Sequence, residues 1–325
     1  METNVHFPTD LSVLFDAVRK TITLAARVAD ALGLTGWRQK IHNVTKARDL
    51  FKKARKACHR KKKKDDGAEL KEVVNEYINH SQSMLDKARL TLRGTLFDGN
   101  VSKMADEALM HAANADVLIG QMRRRLINGE VIPHGEKIFS VFETHTEWIS
   151  KGKAGKPQEL GVRLCILQDQ NQFILNYKVM FGLTDEKVGV EMVEETKKNF
   201  DNFASCSFDK GFHSPEAQEK LKKLIPGVYL PKKGKRNQEE TEREGTPEFA
   251  AARRRHPAIE SAINALENHG LDRCPDHGKE AFERYIAIGI LARNMQILGK
   301  HIAVRMTIKI KKDKAAHKKK MRIAA

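Results

Sequence analysis

Cysteine, proline and aromatic residues are all scarce in this chain. Its 325 residues include four cysteines, nine prolines and 6% aromatics. Cys58, Cys165, Cys206 and Cys274 lie far apart and share no CxxC spacing, which points to reduced packing thiols and away from a disulfide framework. Cys274 has His269 and His277 for neighbours, but a closed four-coordinate zinc site needs further ligation that the sequence does not supply. Long apolar runs are missing too. None reaches about 18 residues, and the longest, at 286–292, is flanked by Arg284 and Arg293, which argues against a membrane span. The opening Met1-Glu2-Thr3-Asn4-Val5-His6 has neither the cationic nor the apolar region of a secretory signal, so the chain reads as cytoplasmic. With so few aromatics and no visible stacking motif, a basic RNA-binding structural protein fits poorly.

Positive charge is in excess. Lys and Arg number 59 against 42 Asp and Glu, a formal net charge of +17. Such a balance favours a polyanionic partner, because each cation that neutralises a phosphate releases condensed counterions. Charge alone does not choose between DNA, RNA and acidic lipid. The 40% hydrophobic content suffices for one large domain or two ordinary ones.

Residues 2–7 have the alternation of a short strand, and Pro8-Thr9-Asp10 ends it with Asp10 as a helix N-cap. Helical spacing follows. Leu11, Phe15, Val18, Ile22, Ala25, Ala29 and Leu32 form one stripe, closed by Gly33 and Gly36. Trp37, Ile41, Val44, Phe51, Ala54 and Cys58 form a second, whose other positions and the run at 60–64 are strongly basic. Leu70, Val74, Tyr77, Met84 and Ala88 form a third, and a fourth helix runs over about 101–126, which makes a bundle.

Pro133 and Gly135 mark a change of texture. Residues 137–142 read as strand, and 161–167 with 173–180 as a hairpin. A helix near 188–200, a buried strand at 204–208, a helix at 215–225 and a strand at 228–230 follow. Thr246 caps a helix that starts at Pro247 and restarts at Pro257. The last helix spans about 279–298, and the lysine-rich tail is expected to be disordered.

Hairpin, helix, strand, helix, strand, helix is an order in which a carboxylate at a strand end and another on a late helix can converge on divalent metal ions. Asp209 ends one strand and is followed at once by Lys210 and Gly211. On its own it reads rather as a solvated turn aspartate, since aspartates are common in turns. Glu260 reads equally as a helix-surface glutamate paired with Arg253, Arg254 or His256.

The strings Ser207-Phe208-Asp209-Lys210-Gly211-Phe212-His213-Ser214-Pro215, Leu230-Pro231-Lys232-Lys233-Gly234, Glu260-Ser261-Ala262-Ile263-Asn264-Ala265-Leu266-Glu267 and His269-Gly270-Leu271-Asp272-Arg273-Cys274 carry a resemblance. Together with His145-Thr146-Glu147-Trp148-Ile149-Ser150-Lys151-Gly152-Lys153, they resemble the catalytic half of DDE-type insertion-sequence transposases, over nearly all of 138–298. The resemblance implies an α/β, RNase H-like mixed sheet with flanking helices and a large N-terminal helical insertion. It divides the chain into 1–10 (end of the first strand), 11–132 (insertion bundle), 133–300 (catalytic domain) and 301–325 (basic tail).

In that family three carboxylates bind two Mg2+ (or Mn2+) ions, and by motif match Asp209 is the second and Glu260 the third. Hard oxygen ligands suit those ions, and an ion pair can activate an attacking oxygen while stabilising a leaving one. Family members often carry a basic residue seven positions after the third carboxylate, where this chain has Glu267. The resemblance sets residues 2–10 just after an aspartate-bearing first strand, so the first carboxylate is expected upstream of Met1, in a truncated chain. Glu143 and Glu147 are its alternatives within the chain, or else edge acids near the site.

Lys151, Lys153 and Lys156, with Gly152 and Gly155, suit a phosphate-contacting loop or a solvated turn, and Lys232 and Lys233 carry the same two readings. Lys210, beside Asp209, is a further DNA contact on the same match. The function implied is metal-dependent DNA strand cleavage and transfer. The partner is double-stranded DNA of element terminal repeats, bound by a homo-oligomer in the nucleoid. The alternative is a non-catalytic nucleic-acid-binding remnant.

Overall fold

The computed structural model describes residues 1–59, 66–93, 99–150 and 158–324. The basic run at 60–64 and the lysines Lys151, Lys153 and Lys156 lie outside the described residues. The chain divides into two compact units, Val5–Trp148 and Met1–Asn4 with Ile149–Ala325. The division expected from the sequence fell at 132; by contacts, residues 133–148 go with the helices.

The Val5–Trp148 unit is built from α1 (Asp10–Ala31), α2 (Lys40–His59), α3 (Asp66–Leu92) and α4 (Gly99–Met122), the last continued by a π turn at Arg123–Ile127. The cap of α1 is Thr9, one residue before the expected Asp10. Thr9 has extended backbone, and its hydroxyl accepts from Ser12 N while Ser12 Oγ accepts from Thr9 N. Asp10 is the first helical residue, and its carboxylate meets Arg125 Nε at 3.1 Å. The apolar stripes converge on one core in which Leu14, Ile22, Tyr77, Ile78, Leu85, Leu118 and Met122 have no exposed surface. Ala17, Ala25, Ala26, Ala112 and Ala115 among them leave room for close helix approach.

Leu14→Ala in this core is expected to cost about 2–5 kcal/mol of unfolding free energy, read from urea midpoints at constant m-value. No strand forms at 137–142, contrary to expectation. A 3-10 turn at His134–Glu136 leads in, and Ser140 Oγ then accepts from Phe142 N and Glu143 N, so a side chain takes amides that a ladder would need. Phe139, His134 and Trp148 pack ring to ring instead.

The second unit carries strands β1 (Glu147–Ser150, whose start belongs to the helical unit), β2 (Gln158–Gly161), β3 (Arg163–Gln168) and β4 (Ile174–Met180). Then come α5 (Asp185–Asn199), β5 (Ser205–Ser207), α6 (Pro215–Leu224), β6 (Gly227–Tyr229), α7 (Gln238–Glu244), α8 (Pro247–Arg255), α9 (Ala258–Leu266) and α10 (Lys279–Ala324). The expected hairpin is β3–β4, antiparallel, with Asp169 Oδ1 accepting from Asn171 N and Phe173 N to close its turn.

β5 and β6 pair in parallel. The described strands thus form three separate pairs, β1–β2, β3–β4 and β5–β6, where one mixed sheet was expected. Packing, not a ladder, links β3 to β5: Leu167 and Met180 meet Val188 and Met192 of α5, with Cys165 and Cys206 against the same cluster. Extended pairing at the N-terminus is confined to Met1–Thr3. Val162 N donates to Met1 O, Thr3 N to Leu160 O, Glu2 N to Asp272 O and Cys274 N to Glu2 O. Gly161 is required here, since a Cβ would sit 2.0 Å from Met1 O.

Burial pushes the Cys165 and Cys206 thiols up to about 12. At pH 8 almost none of either is thiolate. Both are therefore expected to alkylate at least ~100-fold more slowly in the native chain than in urea, which mass-spectrometric labelling would show.

The last helix does not stop near Leu298. α10 continues to Ala324 through the tail expected to be disordered, because after Gly299 no glycine or proline interrupts a segment rich in Ala, Lys, Arg, Met and Ile. Among the described residues no helix is long and apolar enough to cross a membrane.

Candidate active site

β5 ends where its parallel ladder with β6 makes its last bond, Phe208 N to Tyr229 O at 3.1 Å. Phe208 is buried with Val193, Leu221, Ile225 and Leu230. Asp209 comes next, with extended backbone, and caps the 3-10 turn Lys210–Phe212. Buried Phe208 and half-buried Phe212 therefore hold a carboxylate that is itself 68% exposed. Two glycines permit this tight corner. A Cβ on Gly211 would lie 2.9 Å from Asp185 Oδ2, and one on Gly189 of α5 would lie 2.7 Å from the Phe212 ring. Because β5 and β6 are parallel, Asp209 and the segment Pro231-Lys232-Lys233 leave from the same, carboxyl, end of the strands, the end at which open α/β sheets bind ligands.

α8 supplies the other wall. Thr246 caps it as expected, its hydroxyl accepting from Phe249 N, and Pro247 occupies the first helical position. Phe249 is buried against Tyr229, which fixes α8 against β6. Near the end of α8, Arg253 donates to Phe208 O at 2.7 Å, and His256 Nε2 lies 3.0 Å from Asp209 Oδ1, where its N–H donates to the carboxylate. This hydrogen bond, with the charges of His256 and Arg253, holds the Asp209 carboxyl below the usual carboxylate range, so it is anionic at neutral pH.

His256 and Pro257 both keep right-handed helical backbone between α8 and α9. Across this junction Ile259 N donates to His256 O and Glu260 N to Pro257 O, each at 3.1 Å, so the chain makes a tight turn between α8 and α9. Glu260 stands in the first turn of α9, exposed, four residues beyond the residue that bonds Asp209. Of the three partners suggested for a merely structural Glu260, two bond elsewhere, Arg253 on Phe208 O and His256 on Asp209, while Arg254 is exposed.

Lys210 is exposed beside Asp209. Lys232 and Lys233 differ. Lys232 Nζ is 2.6 Å from Glu240 Oε1 and its amide donates to Glu244 Oε1, so α7 ties that segment down, whereas Lys233 is exposed. Arg254 and Arg255 are also exposed at the end of α8, and the sequence reading had not named Arg255. His256, which the sequence suggests as a pairing partner for Glu260, instead marks Asp209 through a contact across 47 residues that no local pattern encodes.

Glu143 and Glu147 belong to the Val5–Trp148 unit. Glu143 is buried, 3.7 Å from His145 Nε2, and Glu147 is half-buried at the start of β1. Among the described residues no three His, Cys, Asp or Glu side chains gather as a metal-binding group, and none forms around Cys274.

Neither a curated protein nor a solved structure matches the chain. A family model, the transposase DDE domain, matches residues 120–295, which is more than half of the chain and includes Asp209, His256 and Glu260. By that match the chain belongs to the DDE-domain transposase family.

Proposed function

We propose that this chain carries the catalytic domain of an insertion-sequence transposase of RNase H-like design, cutting and joining double-stranded DNA at element ends. Asp209 and Glu260 are proposed as two of its metal-binding carboxylates. The supporting observation is the 3.0 Å contact of His256 with Asp209, since His256 lies four residues before Glu260 in the sequence. The donors suit the ions: both are carboxylates, Asp209 is held anionic, and both are exposed. Two Mg2+ or Mn2+ ions, when bound, would polarise the phosphodiester and stabilise the attacking and leaving oxygens.

The chain's own residues do the rest. Asp209 and Glu260 offer oxygen ligands, His256 orients the Asp209 carboxylate, and Arg253 pins the strand end through Phe208 O. Lys210, Lys233, Arg254 and Arg255 offer cations to the DNA backbone. Lys151, Lys153 and Lys156 are proposed as further backbone contacts, while Lys232 contributes after giving up Glu240.

A second reading has its own support. Two carboxylates make an incomplete set, and no third joins them among the described residues. A chain that binds DNA without cutting it would follow unless Glu143 or Glu147 supplies a further carboxylate. Nicking of a terminal-repeat duplex with Mg2+, compared between the chain and its Asp209→Asn form, separates the readings.

A further inference from the structure

The loop at 232–237, which follows β6, is held at both of its ends by α7. Glu244, the last residue of α7, accepts from Lys232 N at 2.7 Å through Oε1 and from Arg236 Nε at 3.0 Å through Oε2. One carboxylate thus ties the first residue of the loop to the fifth. The Glu244 side chain is 7% exposed, and Arg243 Nη2, which donates to the carbonyl of buried Leu230, lies 3.5 Å from its Oε1. A carboxylate withdrawn this far from water is stable only among donors, so its removal releases the groups that it joins. Glu240, one turn earlier, is more exposed; its Oε1 takes Lys232 Nζ at 2.6 Å and its Oε2 takes Asn237 N at 3.1 Å. Lys232 Nζ can therefore exchange Glu240 for a phosphate while the Lys232 amide stays on Glu244. Between the tied ends Lys233, Gly234 and Lys235 are exposed, and among the described residues neither lysine is in an ion pair. Gly234 turns the tip with φ +92°, where a side chain would be strained although a Cβ would meet nothing within 4 Å.

We infer that Glu244 is a positioning residue, which fixes the loop at 232–236 so that Lys233 and Lys235 meet the phosphates of one DNA strand beside Asp209. This role rests on the DNA substrate proposed above and is independent of cleavage. Topology favours it. β5 and β6 run parallel and make their last bond from Phe208 N to Tyr229 O, so Asp209 and the loop leave neighbouring strands about 4.8 Å apart. Charge favours it as well. Residues 232–236 carry Lys232, Lys233, Lys235 and Arg236; Glu240 and Glu244 answer the first and the last, which leaves the two lysines beside Gly234 for a polyanion. Stiffness sets the effect on affinity. A lysine on a mobile loop loses backbone as well as side-chain freedom when it meets a phosphate, whereas a loop already tied has little backbone freedom left to lose. Gly234 sharpens the contrast, since glycine loses more freedom than any other residue on being ordered.

Duplex binding by the full chain without divalent metal tests this, so that a failure of Asp209 and Glu260 to cut DNA leaves the result unaffected. Lys233→Ala with Lys235→Ala should weaken binding about 10-fold or more at 150 mM salt in the parent chain. In the Glu244→Ala background the same pair should weaken it less than about threefold, a coupling that a double-mutant cycle reads directly. Glu244→Ala alone should bind more weakly than the parent although it carries one negative charge fewer, the opposite of what simple charge removal gives. Trypsin, with no DNA present, should cut after Lys233 and Lys235 at least ~10-fold faster in Glu244→Ala, with circular dichroism unchanged. Should that variant fail to fold, Arg236→Gln frees only the far end of the loop, leaves Glu244 on Lys232 N, and should repeat both the lost coupling and the faster cutting. A Glu244→Ala chain that binds DNA more tightly than the parent overturns the inference and makes Glu244 a screen for the cations. So do equal trypsin rates, or a lysine pair that counts as much without Glu244 as with it. A parent chain with no affinity for duplex overturns the proposed substrate together with this role, whereas the other outcomes leave that substrate standing.

Discussion

Asp209→Asn, in a form of the protein that nicks terminal-repeat DNA, is expected to lower Mg2+-dependent nicking by more than about 100-fold, since losing a supporting group around a metal already costs about 10–100-fold. Glu260→Gln should do the same. His256→Ala, which removes the support and keeps both carboxylates, should fall within that 10–100-fold range. DNA affinity at fixed salt should change little in all three, because none of the three side chains is a cation contributed to the phosphate backbone. The Asp209 side chain is mostly exposed, so its loss should leave the unfolding midpoint within about 0.5 kcal/mol of the parent. Full nicking activity in Asp209→Asn would remove Asp209 from the metal site, and a variant that lost binding in parallel with cleavage would make it a DNA contact instead.

The second large effect concerns salt. The 325-residue chain should bind duplex DNA with an affinity that falls about 10³–10⁵-fold between 50 and 200 mM salt, as expected for roughly six to ten phosphate contacts. The +17 net charge supports this, together with exposed Lys210, Lys233, Arg254 and Arg255. Lys233→Ala or Arg255→Ala should each reduce the slope of log K against log salt by about one and leave sequence preference unchanged. The same chain is expected to cleave poorly under conditions where it binds well. Two carboxylates under-hold an ion pair and leave the attacking oxygen badly placed. Efficient cleavage by the chain alone would point to Glu143 or Glu147, and a salt-independent affinity would remove the phosphate-contact account altogether.

Local pattern was enough for most elements. The stripes of α1 to α4, the β3–β4 hairpin, the α8 cap at Thr246 and the restart after Pro257 are all legible because helix and strand periodicity and capping are set within a few residues. The strings around Asp209 and Glu260 carry the family resemblance rather than any periodicity, and they lie within the residues that the family model matches. Failures came where a distant or competing partner decided the outcome. Residues 137–142 have strand composition, yet the Ser140 hydroxyl takes the amides of Phe142 and the following Glu143. Thr9 rather than Asp10 caps α1, since Asp10 is drawn to Arg125, more than a hundred residues away. The α10 tail stays helical because nothing in it breaks a helix. Tertiary structure alone decided that His256 bonds Asp209, that α7 takes Lys232 through Glu240, and that one apolar face of α10 is buried while the other is left exposed. Periodicity shows that a helix has an apolar stripe; only the packing of distant segments shows whether anything covers it.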